Sequence, residues 1–247
     1  MSKSSNLARR KKAEPLGDRL EEVYVRLREH FGPQRRGPYG WWPGETAFEV
    51  AIGAILTQNT AWQNVEKALA RLKARELLTP QALQEIPQEE LAALSVPAGY
   101  FNVKARRLKT FVGFLWEHSQ GNLEALLRED LTILRPRLLG IQGIGPETAD
   151  SILLYAGGHP IFVVDAYTQR IFSRHRWIRE KASYAELQEL FLQHLSRDPL
   201  LYNEYHGLLV NLGKYHCKRK PLCSTCPLGP DLPAARRKSP WSRSSTP

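Results

Sequence analysis

Asp165 follows the apolar run Ile161–Val164 and stands where a helix should open. An aspartate there is an ordinary N-cap, since its carboxylate accepts the orphan N–H groups of the first helical turn. The same carboxylate is a fixed negative charge, able to stabilise a cation or to orient a water. Upstream, Gly143-Ile144-Gly145-Pro146-Glu147 spells a tight turn feeding a second helix. The two glycines reach backbone conformations closed to other residues, and Pro146 suits the first helical position. The N–H groups of Gly143 and Gly145 and the helix start make a cradle for phosphate, and Glu147 falls where the helix dipole favours an acid. Trp41, Trp42 and Pro43 lie in a Gly/Pro-rich loop, and Trp62 follows Gln58-Asn59-Thr60. Such tryptophans either plug a seam between domains or wall a ligand pocket. Cys217, Cys223 and Cys226 are the only cysteines. An odd, tightly spaced set is no disulfide framework and points to a metal or to nothing.

The elements that must position these residues are helical. Leu20, Val23, Tyr24 and Leu27 recur at helical spacing and predict a first helix over about residues 17–30. Thr46 can cap a buried helix, and further helices are expected near 60–73, 80–93, 103–118 and 122–129. Leu138 to Gly158 reads as helix, turn, helix, and two more helices are expected near 184–195 and 200–214. No pair of strands stands out, so the class is all-α. The 247 residues carry a net charge of +10, and a polyanion, nucleic acid first, is the natural partner. A basic surface kept for solubility is the plain alternative. Part of that charge lies in the runs Arg9–Lys12 and Arg236–Lys238, which read as arms. With no signal peptide and no span of membrane length, the expectation is a soluble cytoplasmic protein, nucleoid-associated through DNA and monomeric.

Four motifs in one order sharpen this. ILTQNTAWQNVEKAL, GYFNVKARRLK, LLGIQGIGPETADSILLYA with FVVDAYTQRIF, and the cysteine cluster together resemble the endonuclease III superfamily of DNA glycosylases. That superfamily is marked by a helix-hairpin-helix, a Gly/Pro-rich loop and an aspartate. Trp41-Trp42-Pro43-Gly44 ahead of ILTQNTAW looks like its 3-methyladenine branch. The resemblance covers about residues 17–228. It implies two helical domains with a DNA-binding cleft between them, one over 39–159 with six helices, the other joining 17–38 to 160–228. Residues 1–16 and 229–247 would be basic tails, the second disordered.

The resemblance also implies roles. Asp165 becomes the catalytic carboxylate, stabilising the positive charge that builds on the sugar as the glycosidic bond breaks. Lyase members carry a lysine where this chain has Glu147, and a glutamate cannot form a Schiff base. Water is then the nucleophile, with Glu147 lining the pocket or placing that water. Lys104 and Lys214 are the amines that could substitute. A flipped base would stack on Trp42 and Trp62, with Trp41 and Pro43 close by. Gln58 and Tyr100 would fill the hole in the duplex, and Lys104, Arg106 and Arg107 would meet phosphate. The chemistry requires no cofactor. A [4Fe–4S] cluster is implied, but its fourth cysteine position holds Leu232, leaving His216 or Asp231 as substitutes; zinc on three cysteines and His216 is the other option. The expected partner is double-stranded DNA with a damaged base. Two alternatives stand beside this: an endonuclease III-type glycosylase and abasic-site lyase acting on oxidised pyrimidines, and a non-catalytic module binding damaged DNA.

Overall fold

A computed structural model describes residues 16–35 and 37–232. The runs Arg9–Lys12 and Arg236–Lys238 lie outside the described residues. Among the described residues twelve α-helices follow one another: α1 Leu16–Phe31, α2 Ala47–Leu56, α3 Trp62–Lys73, α4 Pro80–Glu85, α5 Gln88–Ser95, α6 Phe101–Ser119, α7 Leu123–Leu126, α8 Leu131–Gly140, α9 Pro146–Ser151, α10 Ala166–His175, α11 Tyr184–His194 and α12 Pro199–Tyr215. No strand is present among the described residues. None of these helices is long and apolar enough to cross a membrane.

Local signals set most of the boundaries. Thr46 caps α2, its hydroxyl accepting from Glu49 N at 3.1 Å. The pattern over 80–93 suggests one helix, but Pro87 lacks the N–H that would continue α4, so α5 starts afresh beyond it. Eight α-helices, α2–α9, therefore lie within 39–159, where the periodicity reads seven and the resemblance implies six. The tail expected to be disordered from 229 is corrected at its start. Gly229–Asp231 form a 3₁₀ turn, and Asp231 accepts from Arg26 Nη1 at 2.9 Å and Nη2 at 3.2 Å.

α2 is buried along its whole length and packs on α3, α6, α7 and α9. α1 and α10 pack on α12, and α11 packs on α1. Ile152–Ala156, a π-helical turn continuing α9, touches both α2 and α12 and so joins the two groups. Asp150, at the end of α9, is fully buried. Its carboxylate receives Arg135 Nε at 2.7 Å and Nη2 at 3.0 Å, Tyr184 Oη at 2.8 Å and Gln188 Nε2 at 2.7 Å. Gln188 also donates to Phe162 O at 2.6 Å, and Val164 N donates to Tyr184 Oη at 3.4 Å. One carboxylate thus ties α8, α9 and α11 to the extended run 161–164.

Removing it strands a half-buried guanidinium and two buried donors. Asp150→Ala should lower folding stability by about 3–5 kcal/mol. Urea unfolding at unchanged slope checks this; a loss near zero would mean that the network is not the link between the groups.

Candidate active site

The hairpin is α8, the turn 141–145 and α9. Gly143 has φ +91°, and a Cβ there would meet Arg107 Nε at 2.6 Å, so both the turn and the close approach require glycine. Ile144 is buried and pins the turn, while Gly145 caps α9 and Pro146 takes its first position. Gln58 and Gly143 come together. Gln58 Nε2 donates to Gly143 O and to Thr148 Oγ1, each at 2.9 Å, and Arg107 donates to Gln58 Oε1. Tyr100 stands at the start of α6 with φ +47° and 73% of its surface exposed, a projecting aromatic on strained backbone. Arg106 is exposed and Arg107 half-buried.

Lys104 is a correction. It is 1% exposed, and Nζ donates to Leu56 O at 2.8 Å, Ala98 O at 2.6 Å and Thr60 Oγ1 at 2.5 Å. Its ammonium closes the C-terminal end of α2, whose last carbonyls lack helical partners. It reaches no phosphate and cannot serve as a lyase amine. Lys214 is exposed in the last turn of α12.

Asp165 caps α10. Its Oδ1 accepts from Thr168 N at 2.7 Å and Thr168 Oγ1 at 2.8 Å, which leaves Oδ2 uncommitted. Glu147, in the first turn of α9, is open to water but crowded by the cleft walls. That crowding, with the negative charge of Asp165, holds its carboxyl up at about 7. One carboxylate is therefore fixed by a cap, and its neighbour titrates near neutrality.

The tryptophan loop packs on Tyr155 and His206, side chains within electrostatic reach of Asp165. Trp42 is buried and stacks on Tyr155 with centroids 4.8 Å apart at 22°. Trp62 meets Trp42 edge-on, at 5.2 Å and 74°. The expected Trp42–Trp62 sandwich is corrected here: rings so close and so steeply inclined leave no parallel slot for a base. The stacked partner of Trp42 is Tyr155, from the π turn. Trp41 lies beside Tyr155 and His206, with centroids 6.2 and 5.7 Å away. Pro43 is half-buried next to them. Asn203 of α12 holds the loop, accepting from Trp41 N at 2.7 Å and donating to Tyr39 O at 3.0 Å. Sequence reasoning missed Tyr155, Asn203 and His206. Their one signal is a polar or aromatic side chain inside an otherwise apolar helix.

Cys217, Cys223 and Cys226 carry no disulfide and line one cavity with Arg174, His216 and Leu232. Burial pushes the Cys226 thiol up to about 11. Asp231 is corrected as a ligand, because Arg26 holds it. No three His, Cys, Asp or Glu side chains among the described residues stand close enough to hold one metal ion, so the zinc option has no preformed site. An iron–sulfur cluster finds three thiols and lacks the fourth: Leu232 brings no donor, and His216 Nε2 lies 3.1 Å from His30 Nε2. The residues do not match that group, and the chemistry below uses none.

A helical hairpin with a glycine turn, followed by an aspartate that caps the next helix, defines a helix-hairpin-helix DNA glycosylase. Residues 52–197 match the model of the HhH-GPD superfamily base excision DNA repair proteins. The chain belongs to that family. It is 46% identical to a provisionally named DNA repair glycosylase of Methanocaldococcus jannaschii over 85% of this chain and 93% of that protein. Endonuclease III of Thermotoga maritima is 31% identical over 72% of this chain and 79% of that protein. Among solved structures, the 3-methyladenine DNA glycosylase of H. pylori, bound to 1,N6-ethenoadenine, superposes with TM-score 0.68 at 29% identity, covering 81% of this chain and 98% of that one. An endonuclease III–DNA complex superposes with TM-score 0.76 at 22% identity, covering 90% and 97%. The protein is thus a base excision repair glycosylase acting on DNA, not a non-catalytic module.

The burial of Lys104 is testable through pH. Burial, with some repulsion from Arg107, pushes its ammonium down from 10.5 to about 8. Between these values the unfolded chain holds a proton that the folded chain has lost, so stability rises with pH across that window. Urea unfolding should show the wild type gaining on Lys104→Met as pH climbs from about 8 to about 10.5. A constant gap would contradict the burial.

Proposed function

We propose that this glycosylase is monofunctional and hydrolyses the N-glycosidic bond of an alkylated purine such as 3-methyladenine, flipped from duplex DNA, acting as a monomer inside the cell. One observation carries the reading: a carboxylate, Glu147, stands within electrostatic reach of Asp165, and both are within reach of Tyr155, the ring stacked on Trp42. Electron-rich rings attract a cationic base. The name and bound base of the H. pylori neighbour point the same way.

An alkylated purine leaves with the electron pair of the C1′–N bond and becomes neutral, so its departure needs little acid. Asp165 Oδ2 stabilises the cation left on the sugar. Water then bonds to C1′, and its proton passes to Glu147, a base poised near neutrality. No Schiff base forms with the sugar, since that would need an amine. Gln58 and Tyr100 occupy the gap in the duplex. The N–H groups of Gly143 and Gly145 bind a phosphate, and Arg106 and Arg107 add non-specific attraction.

The sign of the pH dependence follows. Glu147 serves as a base only when ionised, so the single-turnover rate on 3-methyladenine DNA should rise through about pH 7 and level above it. Glu147→Gln should lose that limb and run about 10- to 100-fold slower on the alkaline plateau. A variant with the wild-type rate and profile would remove Glu147 from the chemistry.

A further inference from the structure

His206 sits in the middle of α12, 4% exposed, with its ring against Trp41, Tyr155 and Phe162. Its Nδ1 shares a hydrogen bond with the Tyr155 hydroxyl. Its Nε2 is buried, has no hydrogen-bond partner and lies 3.8 Å from Asp165 Oδ2. That oxygen is the one the N-cap bonds leave uncommitted. The imidazole thus approaches the reactive side of the aspartate from the wall opposite Thr168.

Electrostatics selects the tautomer. With the proton on Nδ1, the Nε2 lone pair would face a carboxylate oxygen, acceptor against acceptor. With Tyr155 donating to Nδ1, the proton sits on Nε2 and points at Oδ2. The charged group facing the ring is Asp165; Tyr155 is the other titratable side chain in contact, and it feels both Asp165 and Glu147. Burial disfavours the imidazolium more than Asp165 favours it, so the ring is a neutral donor. A neutral donor directs the carboxylate without cancelling the negative charge that the sugar cation needs.

We propose that His206 is a positioning residue for Asp165: its Nε2–H fixes the direction of Oδ2 toward the sugar, and the Tyr155 hydroxyl fixes the tautomer. The proposal rests on the reading of Asp165 as the catalytic carboxylate. Hydrogen bonds of this kind commonly tighten when substrate fills the site, so a separation of 3.8 Å is compatible with the role.

The test is single-turnover excision of 3-methyladenine from a duplex, with DNA affinity measured separately. His206→Leu keeps the bulk and removes the donor; it should slow excision about 10- to 100-fold while DNA affinity changes less than about threefold. His206→Gln, which can present an N–H toward the same oxygen, should recover most of the loss. Tyr155→Phe removes one oxygen and should slow excision about 3- to 10-fold; it carries the test if His206→Leu shows no cooperative melting. Wild-type rates in both His206→Leu and Tyr155→Phe would overturn the proposal. So would a His206→Gln chain as slow as His206→Leu, or a loss confined to DNA binding. Asp165→Asn, run alongside, separates the two levels: if it excises normally the reading of the site fails, and if it is inactive while His206→Leu is normal only the role of His206 fails.

Discussion

The fold turns on one buried carboxylate. Asp150 has no exposed surface, so its charge persists only because every direction around it is filled by a donor: Arg135 in two bonds, Tyr184 and Gln188. Two of those donors have a second task. Gln188 holds Phe162 O, and Tyr184 accepts from Val164 N, so the segment leading into Asp165 hangs from the same hub. The depth and direction of Asp165 are therefore set by the Arg135–Asp150 ion pair. Because the donors come from α8 and α11, the hub also fixes the hairpin relative to the wall of the cleft.

Around that anchor, similar side chains take different work from different surroundings. Asp165 spends one oxygen on capping α10 and leaves the other without a hydrogen bond. Glu147, a short distance away, feels that charge and titrates near neutrality. Lys104, which looks like a surface cation in the sequence, spends its ammonium on carbonyl oxygens at the end of α2. Environment decides each outcome, through how many donors or acceptors a charge meets and how much water it loses.

Features governed by short-range rules were legible in the chain. Thr46, Pro146 and Asp165 mark helix starts by chemistry that needs only a few neighbouring residues, and each does so in the structure. Gly143 announced the hairpin turn for the same reason. What the sequence could not show depends on distant partners. Asn203 reaches back to Tyr39 and Trp41 across the fold, and His206 meets Asp165 only because α12 packs beside α10. The tryptophans were legible in composition but their geometry was not: Trp42 was visible, yet its stacking on Tyr155 rather than opposite Trp62 is fixed by the π turn after α9. The cysteine spacing was plain, but that Arg26 would claim Asp231 followed from the docking of α1.

The most direct measurement is the product analysis of methylated duplex DNA incubated with the purified chain, with and without later alkali and with borohydride present. The account predicts free 3-methyladenine, strand breaks only after alkali, and no protein–DNA adduct trapped by borohydride. Strand breaks without alkali together with a trapped adduct would contradict it, because an amine that this site does not place beside Asp165 would then be the nucleophile.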